Sequence, residues 1–242
     1  DINGDGVDEL LIADRNFVRA VRYDLEPEQG SSPGWQVVAQ LNADRDSKLV
    51  SVAPLGENII AADREGRRLL IFERTGDGWH VADELGIRGL VPRSIHTGSF
   101  AGDASTTDLL LVGDDAFAVA RLGEGQPTLN EIGFWRPEDR RRVPHELGVG
   151  DVNGDGFIDL VSLDAGEQMA DILSFSDRQA LHAMTSFKVF ESKIFSAGEP
   201  REFEPRQAII ADVNGDDAND LILLAHDRIL VYPQEQSEHA KE

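Results

Sequence analysis

Three stretches of this chain carry the side chains best suited to chemistry: Asp1-Ile-Asn-Gly-Asp-Gly-Val-Asp-Glu-Leu10, Asp151-Val-Asn-Gly-Asp-Gly-Phe-Ile-Asp-Leu160 and Asp212-Val-Asn-Gly-Asp-Asp-Ala-Asn-Asp-Leu221. Each has oxygen-bearing side chains at positions one, three, five and nine. These are Asp1, Asn3, Asp5 and Glu9 in loop 1, Asp151, Asn153, Asp155 and Asp159 in loop 2, and Asp212, Asn214, Asp216 and Asp220 in loop 3. The main-chain carbonyl at position seven (Val7, Phe157 or Ala218) adds another oxygen. Calcium takes about six to eight hard oxygen ligands at about 2.3–2.6 Å, and alternate residues of a tight turn can supply them. Glycine at positions four and six permits the positive φ angles of such a turn. In loop 3 Asp217 replaces the second glycine, and Asp tolerates the left-handed region better than most residues. Three carboxylates this close repel one another unless a cation sits among them. The spacing therefore predicts two or three Ca²⁺ sites, with Asp8 turned outward.

Other readings share the opening of the pattern. An EF-hand or dockerin loop needs a carboxylate at position twelve followed by a helix; position twelve here is Ile12, Ser162 or Leu223, and a β-rich run follows. A solvated Asx-rich turn without an ion stays open as the plain alternative.

The elements that position these loops repeat along the chain. The loops begin at residues 1, 151 and 212, and the first interval fits three units of about fifty residues. Two weaker copies fall between: Ser99 to Gly113, with the loop decayed around Asp103 and Asp108, and Val50 to Asp63, with the loop shrunk to a turn at Glu57. Neither is expected to bind an ion. In each unit an apolar run leads into the loop, a second follows it (Leu10-Leu-Ile-Ala, Leu160-Val-Ser-Leu, Leu221-Ile-Leu-Leu), and a third comes after a polar turn. A fourth, more polar run, such as Trp35-Gln-Val-Val-Ala39, often closes the unit. Runs of four to eight residues rich in Val, Ile and Leu, bounded by Gly, Asp, Asn and Pro, read as strands. Four short antiparallel strands per unit is the grammar of a propeller blade. The expected fold is an all-β propeller of four-stranded antiparallel blades over residues 1–235. Five blades are visible, at about 1–45, 46–90, 91–140, 141–204 and 205–235, followed by a polar tail, 236–242.

Composition narrows the function. With 45 acidic against 23 basic residues the net charge is −22, which disfavours nucleic acid and anionic membranes as partners. No stretch approaches the roughly 18 apolar residues that span a bilayer, so membrane insertion is not expected. The chain lacks cysteine, which excludes disulfides, thiolate metal sites and cysteine nucleophiles, and suits a bacterial envelope or secreted protein. It opens inside a motif at Asp1 without an initiator Met, so an upstream segment is expected.

The three loops, with the blade grammar around them, resemble the FG-GAP repeats of integrin α-subunit propellers and the related bacterial VCBS-type repeats. The resemblance implies calcium in the loops between first and second strands of some blades, where it stiffens one face while ligands bind elsewhere. It also implies extracytoplasmic placement: secreted, periplasmic or on the cell surface. Such propellers commonly have seven blades, so the chain is expected to be a fragment of a larger ring. The Phe-Gly and Gly-Ala-Pro signatures are largely missing and there is no Arg-Gly-Asp motif, so integrin function is not carried over.

No catalytic constellation stands out. The six histidines are scattered, with no His-Glu-x-x-His; His96 alone falls in an inner-strand region. Two irregular segments are candidates for specificity, Phe134 to Arg142 and Phe187 to Arg206, the latter with Phe190, Phe195 and Phe203. The expected function is a calcium-binding module for a protein or polysaccharide ligand, acting in recognition or adhesion. The alternatives are a carbohydrate-active lyase or hydrolase on a propeller scaffold, or an accessory propeller of a larger enzyme.

Overall fold

The computed structural model describes residues 1–25, 33–76, 78–100, 107–123, 128–139, 141–175, 181–190 and 204–234. Among them every regular element is a β-strand, as the all-β expectation requires, and the strands form five antiparallel sheets. Sheet 1 holds β1 (Leu10–Asp14), β2 (Phe17–Asp24) and β3 (Gly34–Asn42). Sheet 2 holds β4 (Leu49–Leu55), β5 (Asn58–Asp63), β6 (Arg68–Thr75) and β7 (Gly78–Gly86). Sheet 3 holds β8 (Pro92–Gly98), β9 (Asp108–Gly113), β10 (Phe117–Leu122) and β11 (Leu129–Trp135). Sheet 4 holds β12 (Pro144–Gly150), β13 (Asp159–Asp164), β14 (Met169–Phe175) and β15 (Leu181–Lys188), and sheet 5 holds β16 (Gln207–Ala211), β17 (Asp220–Ala225) and β18 (Arg228–Tyr232). In every sheet, neighbours in sequence are neighbours in the ladder.

Burial explains the run-like sequences. The strands after loops 2 and 3 are covered on both faces, so they need no alternation: Leu160, Val161, Ser162 and Leu163 are each at most 1% exposed. The last strand of a full sheet is the solvated one and reads as mixed; on β15 residues 182–186 are exposed, Met184 at 56%. Register repeats too. The ladders β2–β3, β6–β7 and β14–β15 shift at Ala20/Val21, Ile71/Phe72 and Ile172/Leu173, leaving Val38, Ala82 and Met184 as the extra residues of the outer strands. A bulge at the same place in three sheets sharpens the twist at the same place.

The chain divides into two compact units, residues 1–98 with 109–130, and 99–108 with 131–242. In the first, the two faces of sheet 2 are used separately. Ile59, Ala61, Leu70 and Phe72 pack on Val18, Ala20 and Leu41 of sheet 1. Ile60, Ala62, Leu69 and Ile71 pack on Ile95, Leu109, Leu111 and Ala118 of sheet 3. In the second unit Val161, Leu163 and Ala170 of sheet 4 pack on Ala208, Leu221 and Leu223 of sheet 5. That approach is close because β12 carries glycine where β16 crosses it: a Cβ on Gly148 would lie 2.8 Å from the Ala208 Cβ, and one on Gly150 2.8 Å from the Ile210 Cγ2. Each fully buried Leu, Ile or Phe contributes about 1.5–3 kcal/mol.

Candidate metal centres

The three acidic loops occupy the same place in their sheets. Loop 1 leads into β1, loop 2 joins β12 to β13, and loop 3 joins β16 to β17. Their backbones match: φ is +77° and +83° at Gly4 and Gly6, +74° and +86° at Gly154 and Gly156, and +81° and +66° at Gly215 and Asp217. Asp217 thus adopts the left-handed conformation that glycine takes in the other two loops.

The hydrogen bonds are the same three times over. The carboxylate at position one caps the turn: Asp151 Oδ1 accepts from Gly154 N at 2.7 Å and Oδ2 from Gly156 N at 2.9 Å. Asp1 does this for Gly4 and Gly6, at 2.6 and 2.7 Å, and Asp212 for Gly215 and Asp217, at 2.7 and 3.0 Å. These N–H donors hold the Asp212 carboxyl below its ordinary range. The Asn at position three accepts from the N–H of position five, and its amide donates back to that residue's carboxylate: Asn153 Nδ2 reaches Asp155 Oδ2 at 3.0 Å. The other oxygen at position five accepts from the N–H of position seven, at 2.9, 2.8 and 2.9 Å for Val7, Phe157 and Ala218. The carboxylates are therefore spread over the loop's own donors. No three His, Asp or Glu side chains gather as a ready metal cluster among the described residues.

Position nine differs from the others because it is buried. One of its oxygens accepts the N–H of position two: Glu9 Oε2 from Ile2 at 2.8 Å, Asp159 Oδ2 from Val152 at 2.8 Å, and Asp220 Oδ2 from Val213 at 3.2 Å. The second oxygen separates the loops. Asp220 Oδ1 accepts from Gln234 N at 3.0 Å, whereas Asp159 Oδ1 and Glu9 Oε1 are buried without a hydrogen bond. Burial pushes the Asp159 carboxyl above its ordinary range. The Ser174 hydroxyl and the Val152 N–H oppose that, and the nearby Asp155 and Asp151 charges add to it. In loop 1 Arg22 Nη1 donates to Asp5 Oδ2 at 2.7 Å and stands 4.0 Å from Glu9 Oε1. That bond, ahead of the Val7 N–H, holds the Asp5 carboxyl low. Asp8 is 99% exposed at its side chain.

The buried Asp159 Oδ1, without a hydrogen bond in a loop that also carries Asp151, Asn153 and Asp155, is the feature a hard cation would satisfy, whereas in loop 1 the matching Glu9 Oε1 has the Arg22 guanidinium 4.0 Å away. In loop 3 the matching oxygen is already engaged by the Gln234 N–H. A cavity of about 400 Å³ beside loop 1, lined in part by Ile2, Leu11, Val52, Pro54 and Ile59, is an apolar wedge between sheets 1 and 2. It brings no histidine, lysine or hydroxyl side chain to the carboxylates.

His96 lies on β8 with Nε2 3.2 Å from the Ser94 Oγ. In the connector Phe134 to Arg142, Arg136 stacks over Phe134 at 5.3 Å, and Arg141 pairs with Asp139 at 2.6 Å, pushing that carboxyl down to about 2. Arg142 is an internal group instead. Its side chain is 12% exposed and pairs with the buried Asp164 and Asp171. Phe187 packs on Tyr232 at 5.3 Å between ring centres. Phe195, Phe203 and Asp103 lie outside the described residues.

Sequence reasoning missed a second set of buried acids. Asp63 and Asp164 end β5 and β13, at 1% and 0% exposure. Asp63 accepts from Lys48 N and Gly66 N and from Arg68 Nε at 3.0 Å; Asp164 accepts from Val143 N and Glu167 N and pairs with Arg142 Nε at 3.0 Å. The available signal was the shared place of these acids, at the far end of the strand after the loop. Asp108 is likewise buried and accepts from Phe100 N at 3.2 Å, so the decayed repeat keeps the latch made by position nine. No protein-family model matches the chain, and no curated protein matches it.

Proposed function

We propose that this chain is a calcium-stiffened β-propeller of the FG-GAP and VCBS-like kind, part of a larger ring, that acts outside the cytoplasm as a binding module for a protein or a polysaccharide. Calcium is held by the oxygens of loops 2 and 3, with loop 1 presenting the same set. The observation that carries the reading is Asp159. Its Oδ1 is buried, lacks a hydrogen bond and belongs to a loop already lined by Asp151, Asn153 and Asp155. Leaving a carboxylate oxygen in that state costs about 1–3 kcal/mol or more, and a bound cation removes the cost.

The propeller is supported by consecutive meander sheets, by bulges at equivalent places, and by a sheet 2 that uses both faces. Exposed apolar residues on the two three-stranded sheets, Leu10 and Ile12 on β1 and Ile229 and Val231 on β18, support further blade-like sheets beyond these five. A rigid repeat scaffold that displays variable loops is suited to recognition.

Calcium titration followed by calorimetry and melting tests the metal. The melting temperature is expected to fall in EGTA and to recover with calcium, because a ligand that binds only the folded state stabilises it by mass action. A melt indifferent to calcium would sink the reading. A polysaccharide panel scored for both retention and reducing-end release tests the role; turnover without retention would favour a lyase or hydrolase.

A further inference from the structure

Loop 1 differs from the other two in one charged group. Leu10 pairs with Val21, so Arg22 stands across the ladder from Glu9 at position nine. In sheet 4 the residue paired with Asp159 is Ser174, and in sheet 5 Leu221 pairs with Tyr232, which puts Pro233 across from Asp220. One register position therefore holds a cation in loop 1, a hydroxyl in loop 2 and an imino acid in loop 3.

The arginine reaches the loop's oxygens. Its Nη1 is 2.7 Å from Asp5 Oδ2 and 4.0 Å from Glu9 Oε1, the buried oxygen that lacks a hydrogen bond. The Glu9 side chain is 1% exposed and the guanidinium one-third exposed, so this pair is screened less than a surface pair. Loop 3 satisfies the matching oxygen with the Gln234 N–H, and loop 2 leaves it unmet.

We infer that Arg22 is a built-in counter-cation for loop 1, which holds that loop together without a divalent ion and opposes calcium there, whereas loop 2 depends on the ion. A calcium ion bound by Asp5 and Glu9 would meet a positive charge at the same oxygens, and two cations so close repel strongly unless one leaves. Binding in loop 1 therefore first breaks the Arg22–Asp5 bond. The inference rests on the calcium reading of the acidic loops and adds selectivity among them.

Titration of the full chain with calcium chloride tests it, using wild type, Arg22→Ser, Asp5→Asn and Asp151→Ala. Wild type is expected to take one ion fewer than Arg22→Ser. In EGTA, Arg22→Ser should melt lower than wild type by about 2–4 °C and regain the loss when calcium is added. Asp5→Asn should lower the melt in EGTA while leaving the wild-type calcium stoichiometry unchanged. The inference is wrong if Arg22→Ser binds calcium as wild type does, or if Asp5→Asn removes a calcium equivalent from wild type. The second outcome decides the matter even if Arg22→Ser does not fold. Loss of an equivalent in Asp151→Ala alone keeps the calcium reading intact whichever way Arg22 falls. No calcium heat in any variant overturns both.

Discussion

At the scale of single residues, the carboxylate at position nine does two jobs with its two oxygens. One latches the loop's entry through the N–H of position two, a bond made by Glu9, Asp159 and Asp220. The other lacks a hydrogen bond in Glu9 and Asp159 and accepts from Gln234 N in Asp220. Asp159→Asn keeps an acceptor for Val152 and removes the charge, so its melt in EGTA should equal or exceed wild type, because an uncompensated buried charge is unfavourable. Its calcium affinity should fall by tenfold or more, read by titration. Asp63 shows the opposite balance. Burial pushes its carboxyl up, but the Lys48 and Gly66 N–H groups and the Arg68 guanidinium outweigh that and hold it below its ordinary range. A carboxylate whose folded value is depressed adds stability above its unfolded value and loses it as pH falls through the folded one. Asp63→Asn should therefore destabilise by about 2–4 kcal/mol at neutral pH, with the difference shrinking below about pH 4. Denaturant melts at the two pH values check this.

At the scale of elements, the strands after loops 2 and 3 carry the core and the strand after loop 1 does not, so equivalent positions are unequal. Leu160, at position ten of its unit, is 0% exposed, whereas Leu10 at the same position is 54% exposed. Leu160→Ala should cost about 2–5 kcal/mol and Leu10→Ala less than about 1, measured by urea unfolding. Arg142 links elements in sheet 4, pairing with Asp164 at the end of β13 and Asp171 in β14. Arg142→Ala leaves two buried acids without their cation and should cost about 3–5 kcal/mol. Arg141→Ala, on a side chain 72% exposed, should cost little in the same assay.

At the scale of the whole molecule, a net charge of −22 sets the long-range behaviour. Like charges repel within the compact state, and salt screens them over about 8–10 Å near physiological strength. In EGTA, raising sodium chloride from about 20 to about 200 mM should raise the melting temperature, and the shift should be smaller once calcium is bound. Melts at the two salt levels, with and without calcium, give the comparison. Adding duplex DNA at low salt should leave the melt unchanged.

The all-β class and the place of the three loops were legible in the sequence, because both rest on local patterns. An apolar run of four to six residues closed by Asp and Gly has few conformations open to it, and alternating oxygens around paired glycines fix a turn by themselves. Asp217 in a glycine's place was legible for the same reason. What tertiary structure alone decided is which charges meet. Arg22 is thirteen residues from Glu9 in sequence and reaches its loop only through the register of β1 on β2. The burial of Arg142 among acids follows from how the connector is drawn against sheet 4, although the sequence offered Phe134 to Arg142 as a candidate specificity segment. Electrostatic partners depend on distances across the ladder, and a one-residue change of register would replace them all.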